Sequence, residues 1–254
     1  MNRKRKTTVF ITGASRGIGR NLALEYTKRD CEVFLFARNR TALEELTQYI
    51  KESGGCAYFY AGDVTVKNDV ANAVEEAVTQ MGNIDIAFLN AGISAEMPFS
   101  EFNADIFTNV FNVNLIGNLY CFEYIIPVMK RQGAGKIVGI SSIASFRPVP
   151  GSSPYTSSKI AFDYLLESAR YELESFGIKV ITVRFGFIRT DIVAKADYPL
   201  PFLMEAEDCA RKVADGVDAG KRKVQFPLPM VLLTKFLKIL PESIYKQIVK
   251  FRLK

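Results

Sequence analysis

Histidine is absent from the 254-residue sequence. That absence excludes every Ser-His-Asp and Cys-His nucleophile and every His-based zinc site. Proton transfer near neutral pH is then left to Tyr, Lys, Cys or a carboxylate with a shifted pKa. Cysteine is scarce as well. Cys31, Cys56, Cys121 and Cys209 are the four, and no two stand as Cys-x-x-Cys. Neither a redox pair nor a metal site is expected, and scattered cysteines suit small buried roles in a reducing compartment. No run of 18 apolar residues occurs, so no membrane-spanning helix is expected. The N-terminus carries charge but passes straight into Thr7-Thr8-Val9-Phe10-Ile11, too short and too β-branched for the apolar part of a signal peptide. A cytoplasmic location is expected. Low-complexity linkers and solenoid-length repeats are also missing.

What is present looks globular, with 48% hydrophobic and 24% charged residues. The net charge of +6 is unevenly placed. Arg3, Lys4, Arg5 and Lys6 contribute +4, and residues 221–254 contribute +8, with Glu242 the one acid among nine Lys and Arg. Residues 7–220 therefore carry −6. A nucleic-acid binder normally bears its basic patch on the folded domain, so no nucleic-acid partner is expected. The basic ends read either as solvated tails or as contacts to an anionic surface such as lipid.

Apolar runs at 7–12, 32–37, 56–61, 84–89, 136–141, 178–184 and 223–227 read as strands. Amphipathic segments near 17–29, 40–53, 67–81, 104–132 and 154–176 lie between them. Such alternation implies parallel βαβ units with right-handed crossovers. Runs such as Val33-Phe34-Leu35-Phe36 suit strands covered on both faces. The expected fold class is α/β: one doubly wound Rossmann-type domain over 1–254, with a parallel sheet of about seven strands and helices on both faces.

The first strand ends in Thr12-Gly13-Ala14-Ser15-Arg16-Gly17-Ile18-Gly19, and a helical pattern follows. Glycines there allow a tight turn and close approach of backbone to a diphosphate, which the helix N-terminus attracts. Gly13, Ser15, Arg16, Gly17, Ile18 and Gly19 are therefore candidate cofactor contacts. The second strand ends in Ala37-Arg38-Asn39, where a ribose-binding acid would stand for NAD. No acid is there. Ala37 leaves room, and Arg38 with Arg16 favours a 2′-phosphate, hence NADP. Arg38 as a plain surface residue is the competing reading.

Tyr155 and Lys159 lie at i and i+4 in Pro154-Tyr155-Thr156-Ser157-Ser158-Lys159, so they share one helix face. Alone, that spacing is weak. Its weight comes from Ser142 after the strand 136–141, Asn114 on the long helix, and Asn90-Ala91-Gly92 after the strand 84–89.

With Thr12-Gly13-x-x-x-Gly17-x-Gly19 and Asp63-Val64, these motifs make residues 7–190 resemble the classical short-chain dehydrogenase/reductase family. The resemblance implies a Rossmann fold, a nicotinamide cofactor and hydride transfer between an alcohol and a carbonyl. It implies that Tyr155 is the acid/base and that Ser142 hydrogen-bonds the substrate oxygen. Lys159 would bind the nicotinamide ribose and lower the Tyr155 pKa, and Asn114 would hold a water in a relay to Lys159. Asp63 and Val64 would contact the adenine, with Asn90, Ala91 and Gly92 supporting the cofactor. A dimer or tetramer is the family's expectation.

Two stretches depart from the family's pattern. Phe185-Gly186-Phe187-Ile188-Arg189-Thr190 has Phe185 where a Pro usually precedes the glycine. Gly186, Ile188 and Thr190 remain candidate contacts to the nicotinamide end. Residues 191–220 are expected to form a substrate lid. Ile192, Val193, Tyr198, Pro199, Leu200, Pro201, Phe202, Leu203 and Met204 give it an apolar lining. The usual Asp-Gly-Gly close is replaced by a basic amphipathic tail over 228–254. Leu233, Phe236, Leu237 and Leu240 mark one face, and after Pro241, Ile244, Tyr245, Ile248 and Val249 mark another. Such helices can rest on a membrane interface, on the domain or on a second subunit.

The expected function is an NADP-dependent oxidoreductase acting on a lipophilic carbonyl or secondary alcohol. A keto-acyl reductase is the enzymatic alternative. An NADP-sensing binding protein and a membrane-surface scaffold are the non-enzymatic ones.

Overall fold

The computed structural model describes residues 5–191, 193 and 199–252, with side chains through Val249. Seven parallel strands form one sheet in the order β3-β2-β1-β4-β5-β6-β7. They are β1 (Thr8–Thr12), β2 (Glu32–Ala37), β3 (Cys56–Ala61), β4 (Ile86–Leu89), β5 (Gly135–Ile140), β6 (Ile178–Phe185) and β7 (Lys223–Phe226). Each expected strand is present within two residues of its expected ends. Continuous apolar runs form these strands because both faces are covered. Every residue of β1 is buried, and Phe10 stacks on Phe34 across the β1–β2 pair at 5.7 Å between centroids.

One face carries α1 (Gly17–Lys28), α2 (Arg40–Glu52) and α7 (Ala206–Asp218). Leu22 and Tyr26 of α1, Leu43 and Ile50 of α2 and Val213 of α7 pack there with Val9 and Ile11 of β1. The other face carries α3 (Lys67–Met81), α5 (Gly117–Gln132) and α6 (Ser153–Leu173). Val70, Ile125, Phe162 and Leu166 cover Phe10, Phe34 and Phe36 on that side. The expected helix 104–132 is continuous but not uniform. α4 (Ala104–Phe111) passes through a π-turn, Asn112–Ile116, into α5.

The crossovers run outward in both directions from β1, whose neighbours are β2 and β4. A parallel sheet wound this way opens a crevice at the carboxyl ends of the strands where the winding reverses. That is where the glycine turn after β1 and Asn90 after β4 stand.

One expectation changes at the C-terminal side, and one open reading is narrowed. The lid does not extend over all of 191–220. α7 occupies residues 206–218, and its Cys209, Ala210, Val213, Ala214 and Val217 are buried in the core. Its amphipathic pattern is short and follows a Pro-rich stretch, so it reads as loop until its apolar face meets α1. Ile192 and Tyr198, expected in the lid lining, lie outside the described residues. Of the rest, Phe202 is exposed, and Met204 pairs with Ile188 in an isolated parallel bridge. The tail forms α8 (Leu228–Ile239) and α9 (Glu242–Arg252), with Pro241 between them. The face of α8 that meets the protein is Met230 and Val231, packed on Ile143 with Phe146 and Phe187. Leu233 and Phe236, which mark one apolar face in the sequence, are exposed.

Candidate active site

A cleft of about 510 Å³ opens at the carboxyl edge of the sheet. Gly13, Ser15, Arg16, Gly17 and Ile18 line it from the first turn. Two of these glycines are conformational, with φ of +65° at Gly13 and +55° at Gly17. Gly19 does not line the cleft; it is steric. A Cβ there would stand 2.3 Å from the Gly13 carbonyl oxygen. The turn is held from β4, where Asn90 Nδ2 donates to the Thr12 carbonyl at 2.9 Å. Thr12 Oγ1 in turn accepts from the Asn90 and Ala91 amides, each at 2.9 Å. α1 begins at Gly17 with no side-chain cap and no acid in its first turn. Its free N–H groups and dipole suit a diphosphate.

Ala37, Arg38, Asn39, Gly62, Asp63 and Val64 line the end reached from β2 and β3. Arg38 Nη1 lies 3.6 Å from Asp63 Oδ2, and Asp63 Oδ1 accepts from Thr65 N and Oγ1 at 2.9 Å. Arg16 Nη1 pairs with Asp191 at 2.6 Å, and both side chains are exposed. Both arginines thus face the cleft while holding a carboxylate at its rim. Asp191 was not foreseen; the contact spans 175 residues and nothing local marks it.

The opposite end holds Gly92, Ile93, Ser141, Tyr155, Lys159, Phe185 and Thr190. Lys159 is buried, and its Nζ donates to the Ile140 carbonyl at 2.9 Å. Burial pulls its pKa down to about 8, against the raising effect of Asp163 one turn further on. The same ammonium is 5.7 Å from the Tyr155 ring centroid. Burial holds the Tyr155 phenol above its ordinary value, while a hydrogen bond with Ser142 lowers it and Asp163 raises it. Burial outweighs that hydrogen bond, so the phenol stays above its ordinary value.

Ser142 follows β5, and its Oγ accepts from the Ala144 amide at 3.1 Å, which fixes the turn around it. Asn114 sits in the π-turn, a deformation common at functional sites. Its Oδ1 accepts from Ile93 N at 2.8 Å, and its Nδ2 donates to Ile93 O at 2.9 Å and Ser158 Oγ at 3.0 Å. Asn114 thus straps the loop after β4 to α6. Its backbone carbonyl accepts from Asn118 Nδ2 at 2.7 Å. A Cβ on Gly92 would lie 3.3 Å from Asn114 Oδ1 and 3.5 Å from Lys159 Nζ, so the three meet there.

Thr190 packs over the glycine turn, 3.3 Å from where a Gly17 Cβ would stand. Gly186 and Ile188 are placed differently from expectation. A Cβ on Gly186 would meet Met230 Sδ at 2.7 Å, so that glycine admits α8, and Ile188 is in the core. Sequence reading also passed over Ser141. Its hydroxyl is buried, has no protein partner and belongs to a residue that lines the cleft. A ligand with polar groups at that end would satisfy it. The cleft lined by Gly13, the uncapped helix and this orphaned hydroxyl all fit a nicotinamide dinucleotide. Among the described residues no cluster suited to a metal ion occurs.

A parallel doubly wound sheet with this turn, and a Tyr-Lys pair beside Ser142, define a nucleotide-dependent oxidoreductase. The sequence profile of the short chain dehydrogenase family matches residues 7–199, and the chain belongs to that family. Its members are oxidoreductases that use NAD or NADP and bind small-molecule substrates, commonly as oligomers. An uncharacterized oxidoreductase of Myxococcus xanthus is 28% identical, covering 94% of each chain. The 17-beta-hydroxysteroid dehydrogenase 13 of Rattus norvegicus is 27% identical over 95% of this chain and 81% of its own. The crystal structure of a 3-ketoacyl-ACP reductase from Sinorhizobium meliloti superposes with a TM-score of 0.81. It is 28% identical and covers 89% of this chain and 99% of that one.

Proposed function

We propose that this protein is an NADPH-dependent carbonyl reductase, reversible as an alcohol dehydrogenase, with a lipophilic substrate. One Rossmann-type unit carries the whole site. The observation that carries the reading is the meeting of Ser142, Tyr155 and Lys159 at one end of a cleft that begins at the glycine turn. NADP rather than NAD is supported by Ala37, Arg38 and Arg16 at the other end, with no acid at the end of β2. A 2′-phosphate there would compete with Asp63 for Arg38.

The nicotinamide, when bound, supplies or takes the hydride. The chain's own residues handle the oxygen. A substrate carbonyl oxygen accepts from the Ser142 hydroxyl and the Tyr155 phenol. As the oxygen gains charge, the Tyr155 proton passes to it and a phenolate remains. The raised phenol keeps Tyr155 protonated near neutral pH, so it serves as the acid in the reducing direction. Lys159, still largely charged at pH 7, stabilises that phenolate. Asn114 positions the loop and helix on which these groups stand. Gly13, Ser15, Gly17 and Ile18 hold the diphosphate, Asp63 and Val64 the adenine, and Asn90, Ala91, Gly92 and Thr190 the rest of the cofactor.

A lipophilic substrate is supported by Phe185 beside the catalytic end and by the apolar segment 199–204. The likeness to the rat hydroxysteroid dehydrogenase supports it as well. A keto-acyl substrate is the second reading, favoured by the likeness to the Sinorhizobium reductase. A homodimer or homotetramer on the cytoplasmic side is the assembly inferred from the family. The test is NADPH oxidation followed across steroid, lipid, keto-acyl and small-ketone panels. Turnover of apolar ketones supports the reading, and turnover confined to keto-acyl thioesters replaces it with the second.

A further inference from the structure

α8 carries two apolar faces and uses one. Met230 and Val231 pack on the turn that follows Ser142. Leu228, Leu232, Phe236 and Ile239, spaced i, i+4, i+8 and i+11, form a second stripe that is exposed, Ile239 to 77%. α9 adds Ile244 and Ile248, also exposed. Lys235, Lys238 and Lys246 are exposed beside these residues, and among the described residues no acid pairs with them. The other basic end behaves differently. Arg5 makes two hydrogen bonds to Asp85 at 3.0 and 2.9 Å, and Lys6 pairs with Asp30 at 2.6 Å. Among the described residues, these tail lysines are thus unneutralised where Arg5 and Lys6 are paired.

The tail is held in place rather than dangling. Arg147 Nη1 donates to the Lys238 carbonyl at 2.9 Å, and its guanidinium lies 4.1 Å from the Tyr245 ring centroid. Tyr245 in turn donates to the Pro148 carbonyl at 2.5 Å. The loop after Ser142 is thus clamped to the junction of α8 and α9.

We propose that α8 and α9 form a docking surface for an anionic lipid bilayer, seated beside the Ser142 end of the cleft. An exposed apolar stripe flanked by lysines is the form an interfacial helix takes. Each lysine near an anionic surface adds about 1 kcal/mol of attraction. A second copy of the same face would bring like charges together, which disfavours self-association. The acidic body, −6 over residues 7–220, is repelled by the same surface, so the tail is the side that faces it. Among the described residues no helix is long and apolar enough to cross a membrane, so the contact is peripheral. The proposal depends on the catalytic reading only for which end of the cleft takes substrate.

The chain has no tryptophan, so Phe236→Trp supplies a single indole on the stripe and Tyr171→Trp one on exposed α6. Both are mixed with phosphatidylcholine vesicles, with and without phosphatidylserine, containing lipid brominated in its tails. The indole at 236 is expected to shift to the blue and be quenched, more strongly with phosphatidylserine, while the one at 171 is not. Adding Leu232→Glu and Ile239→Glu is expected to weaken apparent vesicle affinity about tenfold or more. No quenching at 236, equal quenching at both positions, or equal binding to both lipid compositions overturns the proposal. So does a blue shift that grows with protein concentration without vesicles, because a second copy then covers the face. NADPH oxidation reads the chemistry separately, so docking and catalysis can fail independently.

Discussion

Lys159 and Asp163 stand one turn apart on the buried face of α6, and Asp163 is the charge that sustains the Lys159 ammonium against burial. Asp163 is itself held by Arg184, whose Nε donates to Oδ2 at 2.8 Å, while Oδ1 is buried without a partner. Removing the carboxylate's charge takes away the one influence that raises Lys159. With Asp163→Asn, the Lys159 pKa falls further below about 8. Activity that needs the ammonium declines as pH rises through that value. The alkaline limb of kcat/KM is therefore expected to move to lower pH in Asp163→Asn, with cofactor affinity at pH 6 little changed. An unmoved limb would show that Asp163 serves the fold alone.

The same burial has a stability consequence. Lys159 has a depressed pKa when folded and an ordinary one near 10.5 when unfolded, so the unfolded chain binds more protons between about pH 8 and 10.5. Its contribution is unfavourable below that window and is relieved as pH rises through it. Lys159→Met removes the buried charge and also the hydrogen bond to Ile140. The expected net gain is about 1–2 kcal/mol at pH 7, shrinking toward pH 10. Denaturant melts at the two pH values check it, alongside lost turnover.

Arg38 is expected to separate the two nicotinamide cofactors. Arg38→Ala should weaken NADPH about tenfold to a hundredfold, the worth of a charge-assisted contact, and leave NADH nearly unchanged. Fluorescence titration of each cofactor measures this. Equal binding of NADPH and NADH by the unaltered protein would contradict the assignment.

The glycine turn makes a steric prediction. Gly19→Ala places a methyl 2.3 Å from the Gly13 carbonyl and 2.7 Å from Asn90 Nδ2, and both must yield. Overpacking of this kind costs about 1–3 kcal/mol. A lower Tm and lost NADPH binding are expected. At Gly82 a methyl would meet open space, so Gly82→Ala should cost only the strain of its φ of +78° and leave binding intact.

The parts of this fold legible in the sequence are those set by local pattern. Strands covered on both faces read as unbroken apolar runs, as Val33-Phe34-Leu35-Phe36 does, and their ends fall within two residues of expectation. The shared helix face of Tyr155 and Lys159 was legible because residues i and i+4 stand side by side on a helix, and it gained weight only with Ser142, Asn114 and Asn90-Ala91-Gly92. α7 was not, because only packing against α1 distinguishes its pattern from a polar loop. The face by which α8 attaches was not legible, because nearly the whole helix is apolar and composition does not choose which stripe meets Ile143. Arg16–Asp191 joins distant parts of the chain and leaves no local mark. The state of the Tyr155 phenol depends on burial, a tertiary property that motif spacing does not carry.

Tyr155 as proton donor is the central claim, and Tyr155→Phe tests it most directly. The variant keeps the ring and loses only the hydroxyl. Steady-state reduction of a responsive ketone by NADPH should fall by about 10²–10⁴-fold, the worth of a positioned general acid. NADPH affinity, measured by titration, should stay within a few-fold of the unaltered protein. Turnover that survives in Tyr155→Phe, with cofactor binding intact, would contradict the account.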